Sequence, residues 1–199
     1  MKALIGFERS GKTREAINAL PGWSAYSCDL ETADDNSEKH YQTDIRKALN
    51  SDKWDLIILH PPCTALAVSG NRWYGEGMPK HEERLYAIGW TMALWFHARH
   101  ICDHVAMENP VGVLPMKATQ YVQPWQFGHG ETKKTGFWLH NLPPLQPTNI
   151  VEGREQRIWR MAPGEDRAKM RSETYQGIAD AMARQWTDFV AQSIGRKTG

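Results

Sequence analysis

The chain has 199 residues, of which 41% are hydrophobic and 24% are charged, and its formal net charge is +1. These values are ordinary for a globular domain, and they exclude a polycation that binds nucleic acid through net charge alone. Three cysteines are too few and too scattered for a disulfide framework, so we expect a reduced, cytoplasmic protein. No apolar stretch approaches membrane-spanning length, and no signal peptide is evident, so no membrane partner is expected.

Strand-like and helix-like stretches alternate along most of the chain. The predicted strands cover residues 2–6, 23–28, 56–59, 104–107 and 135–140. The predicted helices cover residues 11–20, 45–50, 81–101 and 174–193. The Gly-rich stretch 65–80 predicts a loop that closes over a site, and 151–172 predicts an irregular, arginine-rich segment. This alternation predicts an α/β fold with a Rossmann-like, doubly wound, mostly parallel sheet.

The most apolar of these strands leads directly into a cysteine. Residues 56–59, Leu-Ile-Ile-Leu, are typical of a strand buried on both faces of a parallel sheet. Pro61 and Pro62 end it, because neither can donate a ladder hydrogen bond. Cys63 follows just past the carboxyl end of the strand, where open α/β sheets place their ligand crevice. A positioned nucleophile and a buried apolar thiol are both compatible with this placement.

The loop after the first strand matches a phosphate-binding pattern. Residues 6–13, GFERSGKT, fit the P-loop of NTPases, in which Lys12 reaches the terminal phosphate and Thr13 binds magnesium. The strand that ends before His60 offers no carboxylate to complete such a site, which leaves Glu108 as the candidate. A P-loop NTPase or nucleotide kinase is therefore one hypothesis.

A nucleoside cofactor is the competing hypothesis for the same region. The Ser10-Gly11 backbone allows close approach of a ligand to the amino terminus of the following helix. Asp29, at the end of the second strand, stands where an acidic residue binds ribose hydroxyls, and Asp44 is a candidate acceptor for an adenine amino group. Each acid has a structural alternative, since Asp29 also suits a turn and Asp44 also suits a helix N-cap.

Two dipeptides follow neighbouring predicted strands, namely Pro62-Cys63 and Glu108-Asn109. Together with Arg84-Leu85 on the long helix and residues 175–183, YQGIADAMA, they resemble the motifs of the C5-cytosine DNA methyltransferase family, and most of all its small bacteriophage and prophage members. The resemblance covers nearly the whole chain. It implies a methyltransferase fold, S-adenosylmethionine as cofactor and cytosine-containing DNA as substrate, in the host cytoplasm if the protein is phage-encoded.

The resemblance also implies a role for individual residues. Cys63 would add as a thiolate to C6 of cytosine, Glu108 would bind the N3 edge of the base, and Lys133 would steady its carbonyl oxygen. The implied cofactor-binding residues are Phe7, Ser10, Gly11, Asp29, Leu30, Asp44, Ile45 and Pro61. The implied substrate-binding residues are Pro62, Arg72, Asn109 and Lys134. No metal site is predicted, because the candidate ligands span a helix-to-strand turn: His97, His100, Cys102 and His104.

Little room is left for a separate target-recognition domain. About 40 residues run from the start of the strand at 135–140 to the final helix, enough for a few turns only. We therefore expect one domain that consists of a cofactor half (1–60), a catalytic half (61–140), an irregular basic insert (141–172) and a closing helix (173–194). Strong sequence specificity is not expected from the chain alone, and a protein partner that provides it stays an open alternative, as does a catalytically degenerate methyltransferase fold that binds nucleic acid.

Overall fold

The computed structural model of the protein describes residues 1–157 and 173–197. The strands are β1 (Lys2–Gly6), β2 (Ser24–Asp29), β3 (His40–Gln42), β4 (Leu56–Leu59), β5 (Val105–Pro110), β6 (Gln120–Val122) and β7 (Thr135–His140). The α-helices are α1 (Lys12–Asn18), α2 (Ile45–Leu49), α3 (Asn71–Tyr74), α4 (His81–Ile101) and α5 (Gln176–Lys197). Single turns of 3-10 helix cover Val68–Gly70 and Pro124–Gln126.

The strands form a 7-stranded sheet in the order β3-β2-β1-β4-β5-β7-β6. The first five strands in this order pair in parallel, and β7 is antiparallel to both β5 and β6. The chain order reverses between β1 and β4, which is the kind of switch point where α/β sheets bind ligands. This topology confirms the predicted Rossmann-like, mostly parallel fold.

Both faces of the sheet are covered by helices, so alternate residues of one strand enter different cores. On β1, Ile5 packs into the core that includes Trp186 of α5, whereas Leu4 packs into the core that includes Trp95 of α4. All four residues of β4 are fully buried. Burial on both faces explains why its sequence is continuously apolar instead of alternating.

The structure departs from the predicted elements at several points. The polar strand β3 and the short strand β6 were not predicted, because three residues are too few to show a period. The stretch 65–80, predicted as a loop, contains helix α3. The closing helix begins and ends later than predicted, at Gln176 and Lys197.

Residues 158–172 of the arginine-rich insert lie outside the described residues. They include four of its basic positions, namely Arg160, Arg167, Lys169 and Arg171. Within the described part, Arg157 pairs with Glu131 at 2.8 Å, and the Arg154 guanidinium lies 3.9 Å from the Trp125 ring centroid. Across residues 1–157 and 173–197, none of the helices combines the length and apolarity that crossing a bilayer requires.

Candidate active site and cofactor cavity

A cavity of about 630 Å³ opens at the carboxyl ends of β1, β2, β3 and β4, beside the switch point. A volume of this size lies in the range typical of small-molecule sites. The lining residues are Phe7, Cys28, Asp29, Leu30, Thr43, Asp44, Ile45, His60, Pro62, Cys63, Thr64, Ser69, Gly70, Trp73, Tyr74 and Trp90. The cavity therefore joins most of the predicted cofactor residues to the predicted nucleophile.

Phe7 enters the cavity through an unusual backbone conformation. Its φ is +62°, in the left-handed region that non-glycine residues rarely adopt. The Phe7 amide donates to the Cys28 carbonyl at 2.7 Å, which holds the turn after β1. The ring meets Trp90 edge-on, with 5.7 Å between centroids. Strain of this kind clusters at ligand sites, because the surrounding structure must hold it in place.

Asp29 and Leu30 form the wall at the end of β2. One oxygen of Asp29 accepts a hydrogen bond from the Glu31 amide at 3.0 Å. Burial raises the pKa of this carboxyl above its ordinary value, and hydrogen bonding to the Leu30 amide offsets only part of the increase. Leu30 is largely exposed at the rim. A carboxylate with spare acceptor capacity thus stands where the sequence predicted a ribose contact.

Asp44 serves both as a helix cap and as a cavity residue. Its Oδ1 accepts from the Arg46 amide at 2.8 Å, and both carboxylate oxygens bind the Arg46 guanidinium at 3.0 Å. These hydrogen bonds from Arg46 lower the pKa of Asp44. Ile45, the first residue of α2, is buried and lines the same wall. The N-cap alternative is therefore correct, and it places the Asp44 carboxylate at the cavity.

Ser10 and Gly11, the predicted cofactor contacts, precede a helix terminus that a side chain of the protein already fills. The Glu8 carboxylate occupies the amino terminus of α1, where it accepts from the Thr13 amide at 2.7 Å and the Arg14 amide at 3.1 Å. Glu8 is buried, and neither Ser10 nor Gly11 is among the described residues that line the cavity. The helix terminus is thus already bound to an anion of the protein itself.

The same arrangement argues against the P-loop hypothesis. A P-loop binds phosphates through backbone amides at the helix start, and Glu8 already occupies those amides here. Lys12, which would contact the terminal phosphate, pairs with Glu173 at 2.9 Å. Thr13, which would bind magnesium, is fully buried. In the described residues, the helix amides and Lys12 of this pattern are thus bound to carboxylates of the protein itself.

Cys63 lies in the turn after β4 and is partly exposed at the cavity. Its carbonyl accepts from the Leu66 and Ala67 amides, which closes the turn. The other two thiols are buried, and burial raises the pKa of Cys28 to about 12 and that of Cys102 to about 11. Of the three cysteines, Cys63 is thus the one whose surroundings suit a reactive thiol.

Pro61 and Asn109, predicted to contact the cofactor and the substrate respectively, are hydrogen-bonded to each other. The Asn109 side-chain amide donates to the Pro61 carbonyl at 2.9 Å, and both residues are buried. This bond ties the end of β4 to the end of β5. Pro62, by contrast, lines the cavity next to Cys63.

Glu108 pairs with His60, a residue of the cavity wall. Its Oε2 lies 3.3 Å from His60 Nδ1, and the two side chains are 19% and 6% exposed, respectively. Burial acts to raise the pKa of Glu108, but the hydrogen bond and charge of His60, with smaller effects of Lys133 and Thr135, hold it below its ordinary value. His60 lines the cavity, whereas Glu108 lines a narrow cleft behind it.

The sequence prediction gave His60 no catalytic role. The sequence did contain a signal for a site residue here, since His60 directly follows a buried strand and precedes Pro61. The register Leu59↔Met107 between β4 and β5 is what sets it opposite Glu108. That register is a tertiary property and cannot be read from either strand alone.

The predicted basic residues lie on two sides of the site. Lys133 shares the narrow cleft with Glu108, and its ammonium donates to the Glu173 carbonyl at 3.1 Å. The Lys134 ammonium lies 4.6 Å from the Tyr121 ring centroid, and the Arg72 guanidinium lies 5.2 Å from that of Trp73. Neither Arg72 nor Lys134 is among the residues that line the cavity.

The wall opposite β2 is the segment 64–74, which Arg84 holds in place. The Arg84 guanidinium donates to the carbonyls of Ala65 at 2.7 Å and Ala67 at 3.2 Å, and to the Asn71 side chain at 2.8 Å. Arg84 is 5% exposed. This buried guanidinium positions Trp73 and Tyr74 at the cavity. As for metals, the described part of the chain contains no group of three or more His, Cys, Asp or Glu side chains that could hold an ion.

No protein-family model matches the sequence, and no curated protein sequence matches it. Among solved structures, a methyltransferase of Entamoeba histolytica, EhMeth, superposes with a TM-score of 0.51 and 12% identity over 78% of this chain and 57% of that one. A putative DNA modification methyltransferase from an Escherichia coli prophage superposes with a TM-score of 0.46 and 13% identity, over 82% of this chain and 55% of that one. Schizosaccharomyces pombe Dnmt2 superposes with a TM-score of 0.47 and 15% identity, over 88% of this chain and 55% of that one. This chain spans little more than half the length of each. The likeness to EhMeth shows the fold: a Rossmann-like α/β fold that a methyltransferase also has.

Proposed function

We propose that the protein transfers a methyl group from S-adenosylmethionine to C5 of cytosine in DNA, through a covalent bond from Cys63 to C6. The observation that carries this proposal is the single cavity shared by the Cys63 thiol and the carboxylates of Asp29 and Asp44. A nucleophile and a cofactor-sized site therefore adjoin each other. The fold shared with EhMeth and the resemblance of the Cys63 and Glu108 motifs to the C5-cytosine family support the same function.

The cavity has the chemistry that a nucleoside sulfonium needs. Phe7, Trp73 and Trp90 provide aromatic surface for a purine ring, and Asp29 and Asp44 provide acceptors for hydroxyl and amino groups. The negative charge of the two carboxylates also favours a cationic ligand. When bound, S-adenosylmethionine supplies an electrophilic methyl group.

The residues of the chain make cytosine reactive towards that group. C5 of cytosine is a weak nucleophile, but addition of the Cys63 thiolate to C6 converts the ring into an enamine whose C5 can attack a methyl group. Glu108 stabilises the base at N3 as charge develops, and Lys133 beside it steadies the carbonyl oxygen. Transfer of the C5 proton to solvent then expels the thiolate, and return of the N3 proton to Glu108 restores the aromatic ring.

The substrate base must leave a DNA stack to reach Cys63. The segment 64–74, which includes the exposed Arg72, follows the thiol along the chain. We assign this surface to the DNA strand that carries the displaced base. A protein partner that provides recognition of a particular sequence stays an open alternative.

The test is a covalent trap. The protein is incubated with S-adenosylmethionine and oligonucleotides that contain 5-fluorocytosine, as duplex and as single strand, and the adduct is detected by mass spectrometry. We expect an adduct that depends on the cofactor, is absent in Cys63→Ser, and persists in Cys102→Ser, whose thiol is buried away from the cavity. If calorimetry shows cofactor binding and no oligonucleotide forms an adduct, the proposal fails, and a degenerate, binding-only methyltransferase fold becomes the better explanation.

A further inference from the structure

We propose that His60 is a catalytic proton-transfer residue, which takes the proton of the Cys63 thiol at Nε2 and passes the proton of Nδ1 to Glu108. The delivery of that proton to cytosine rests on the proposed function. The activation of the Cys63 thiol does not, because it concerns residues of this chain alone.

The first observation is the hydrogen-bonding state of the imidazole. Nδ1 lies 3.3 Å from Glu108 Oε2, and a carboxylate can only accept, so Nδ1 carries a proton. In the neutral ring the lone pair is then on Nε2. The His60 side chain is only 6% exposed, and its buried Nε2 has no hydrogen-bond partner among residues 1–157 and 173–197. Buried polar atoms normally have a partner, and a reacting group in the cavity would supply it.

The second observation is where the ring is held. His60 lines the cavity that Cys63 also lines, and Pro61 and Pro62 are the only residues between them. The His60 amide donates to the Gly6 carbonyl at 3.0 Å, and Asn109 binds the Pro61 carbonyl at 2.9 Å. Two prolines and two anchoring hydrogen bonds leave this short segment little conformational freedom. His60 and Cys63 are therefore presented to the cavity in a fixed relation.

The site thus contains a thiol, an imidazole and a carboxylate in that order. This is the order of a nucleophile that is activated by a base, with an acid that orients the base. In the addition step, the S–H bond breaks as the proton moves to Nε2, and the sulfur electron pair forms the bond to C6. The C5=C6 electrons shift to C4=C5, and the C4=N3 electrons move onto N3. The proton of Nδ1 passes to Glu108 and from it to N3, so that the thiol adds across the conjugated ring with no net gain or loss of protons.

The charge state of Glu108 suits this role. Its pKa is lowered overall despite burial, because of His60, Lys133 and Thr135, so at neutral pH it is a carboxylate able to receive a proton. Lys133 lies behind Glu108 in the narrow cleft. The titratable groups that share the cavity wall with His60 are Cys28, Asp29, Asp44, Cys63 and Tyr74.

The test measures thiol reactivity without cofactor or DNA. The alkylation rate of Cys63 by iodoacetamide is followed by peptide mass spectrometry across a pH series, with the buried Cys28 and Cys102 as internal references. His60→Asn is the matched variant, since its amide nitrogen retains a donor near the position of Nδ1 but no base replaces Nε2. We expect alkylation of Cys63 to slow roughly tenfold or more and the midpoint of its pH profile to rise.

An unchanged rate and pH profile in His60→Asn would overturn the proposal. His60→Gln and Glu108→Gln provide two further measurements if His60→Asn does not fold, as judged by its thermal unfolding. Both are expected to slow alkylation, and a wild-type rate in either folded variant contradicts the relay. Failure of the proposed function is distinguishable: the wild-type protein then forms no fluorocytosine adduct, while the difference in alkylation between wild type and the His60 variants persists.

Discussion

Asp29 and Asp44 are both cavity carboxylates, but their hydrogen bonds leave them different capacity to accept from a ligand. Asp44 has both oxygens bound to Arg46 of its own helix. Asp29 accepts from the backbone amides of Glu31 and Leu30 and is desolvated enough that its pKa is raised. A ligand hydroxyl is therefore expected to gain more from Asp29, because within the described part of the chain this partly buried carboxylate has no cationic partner of the kind that Arg46 provides to Asp44.

Asp29→Asn is expected to weaken S-adenosylmethionine binding roughly tenfold or more, since a hydrogen bond to a charged group contributes about 1.5 to 3 kcal/mol. Isothermal titration calorimetry measures the change. Glu38→Gln, which alters an exposed carboxylate outside the cavity, serves as the control and should bind like the wild type. Equal affinity in Asp29→Asn and the control would remove Asp29 from the cofactor site.

Glu108 predicts a specific pH dependence of stability. Its pKa in the folded protein is below the ordinary 4.5, so the unfolded chain binds more protons between the two values. The stability that ionised Glu108 contributes is present above about pH 4.5 and is lost as the pH falls through the folded pKa. We expect the difference in unfolding free energy between wild type and Glu108→Gln to shrink from about pH 6 to about pH 3.

Chemical denaturation at several pH values measures that difference. The exposed Glu76→Gln is the comparison and should stay close to the wild type throughout the series. A gap between wild type and Glu108→Gln that stays constant, or widens in acid, would show that the His60 pairing does not stabilise the ionised carboxylate.

At the level of elements, the wall 64–74 depends on one buried side chain of α4. Arg84 donates hydrogen bonds to the carbonyls of Ala65 and Ala67, which lie outside the strands and α-helices of the fold. Gly112 adds a second support, since a Cβ at that position would collide with the Leu66 carbonyl. The segment that follows Cys63 is thus positioned from two directions, although its composition is typical of a loop.

Arg84→Met is expected to lower the free energy of unfolding by about 1 to 3 kcal/mol, because it leaves the partly buried Ala65 carbonyl without a donor and removes one of the two donors to the Ala67 carbonyl. It should also weaken cofactor binding, since Trp73 and Tyr74 lose their support. Arg99→Met, at an exposed arginine of the same helix, is the matched control and should change neither quantity much. A folded Arg84→Met protein with wild-type affinity would separate this segment from the cofactor site.

At the level of the whole molecule, α5 closes the structure by packing against α1 and one face of the sheet. Trp186 and Met182 are fully buried in that core. The start of α5 approaches the backbone of Phe127 so closely that a Cβ at Gly177 would overlap the Phe127 carbonyl. The glycine of the YQGIADAMA stretch is therefore explained by helix–backbone packing.

Gly177→Ala should destabilise the protein by about 1 to 3 kcal/mol, the usual range for an overpacked core position. Gly89→Ala is the control: it lies within α4, nothing stands within 4 Å of a Cβ there, and alanine should stabilise the helix by up to about 1 kcal/mol. Urea denaturation of both variants compares the two. If Gly177→Ala proves as stable as Gly89→Ala, α5 does not pack as described.

The amino-acid sequence alone was sufficient to predict the Rossmann-like sheet and the positions of candidate site residues at the ends of its strands. A continuous apolar run such as residues 56–59 specifies a strand buried on both faces, and prolines specify where that strand ends. The positions of Asp29, Asp44 and Cys63 at element boundaries followed from such local signals. Local signals suffice for these features because backbone geometry and burial act on neighbouring residues.

The tertiary structure alone decided which of these groups meet. Glu8 takes the helix amides that the sequence assigned to a ligand, and Glu108 pairs with His60 of the cavity wall. Both outcomes depend on contacts that no local pattern encodes: the turn of the chain after β1, and the register of β4 against β5 across 48 residues of sequence. Whether a carboxylate contacts a ligand, a helix or a histidine is set by packing, because each of these partners satisfies the same oxygens equally well.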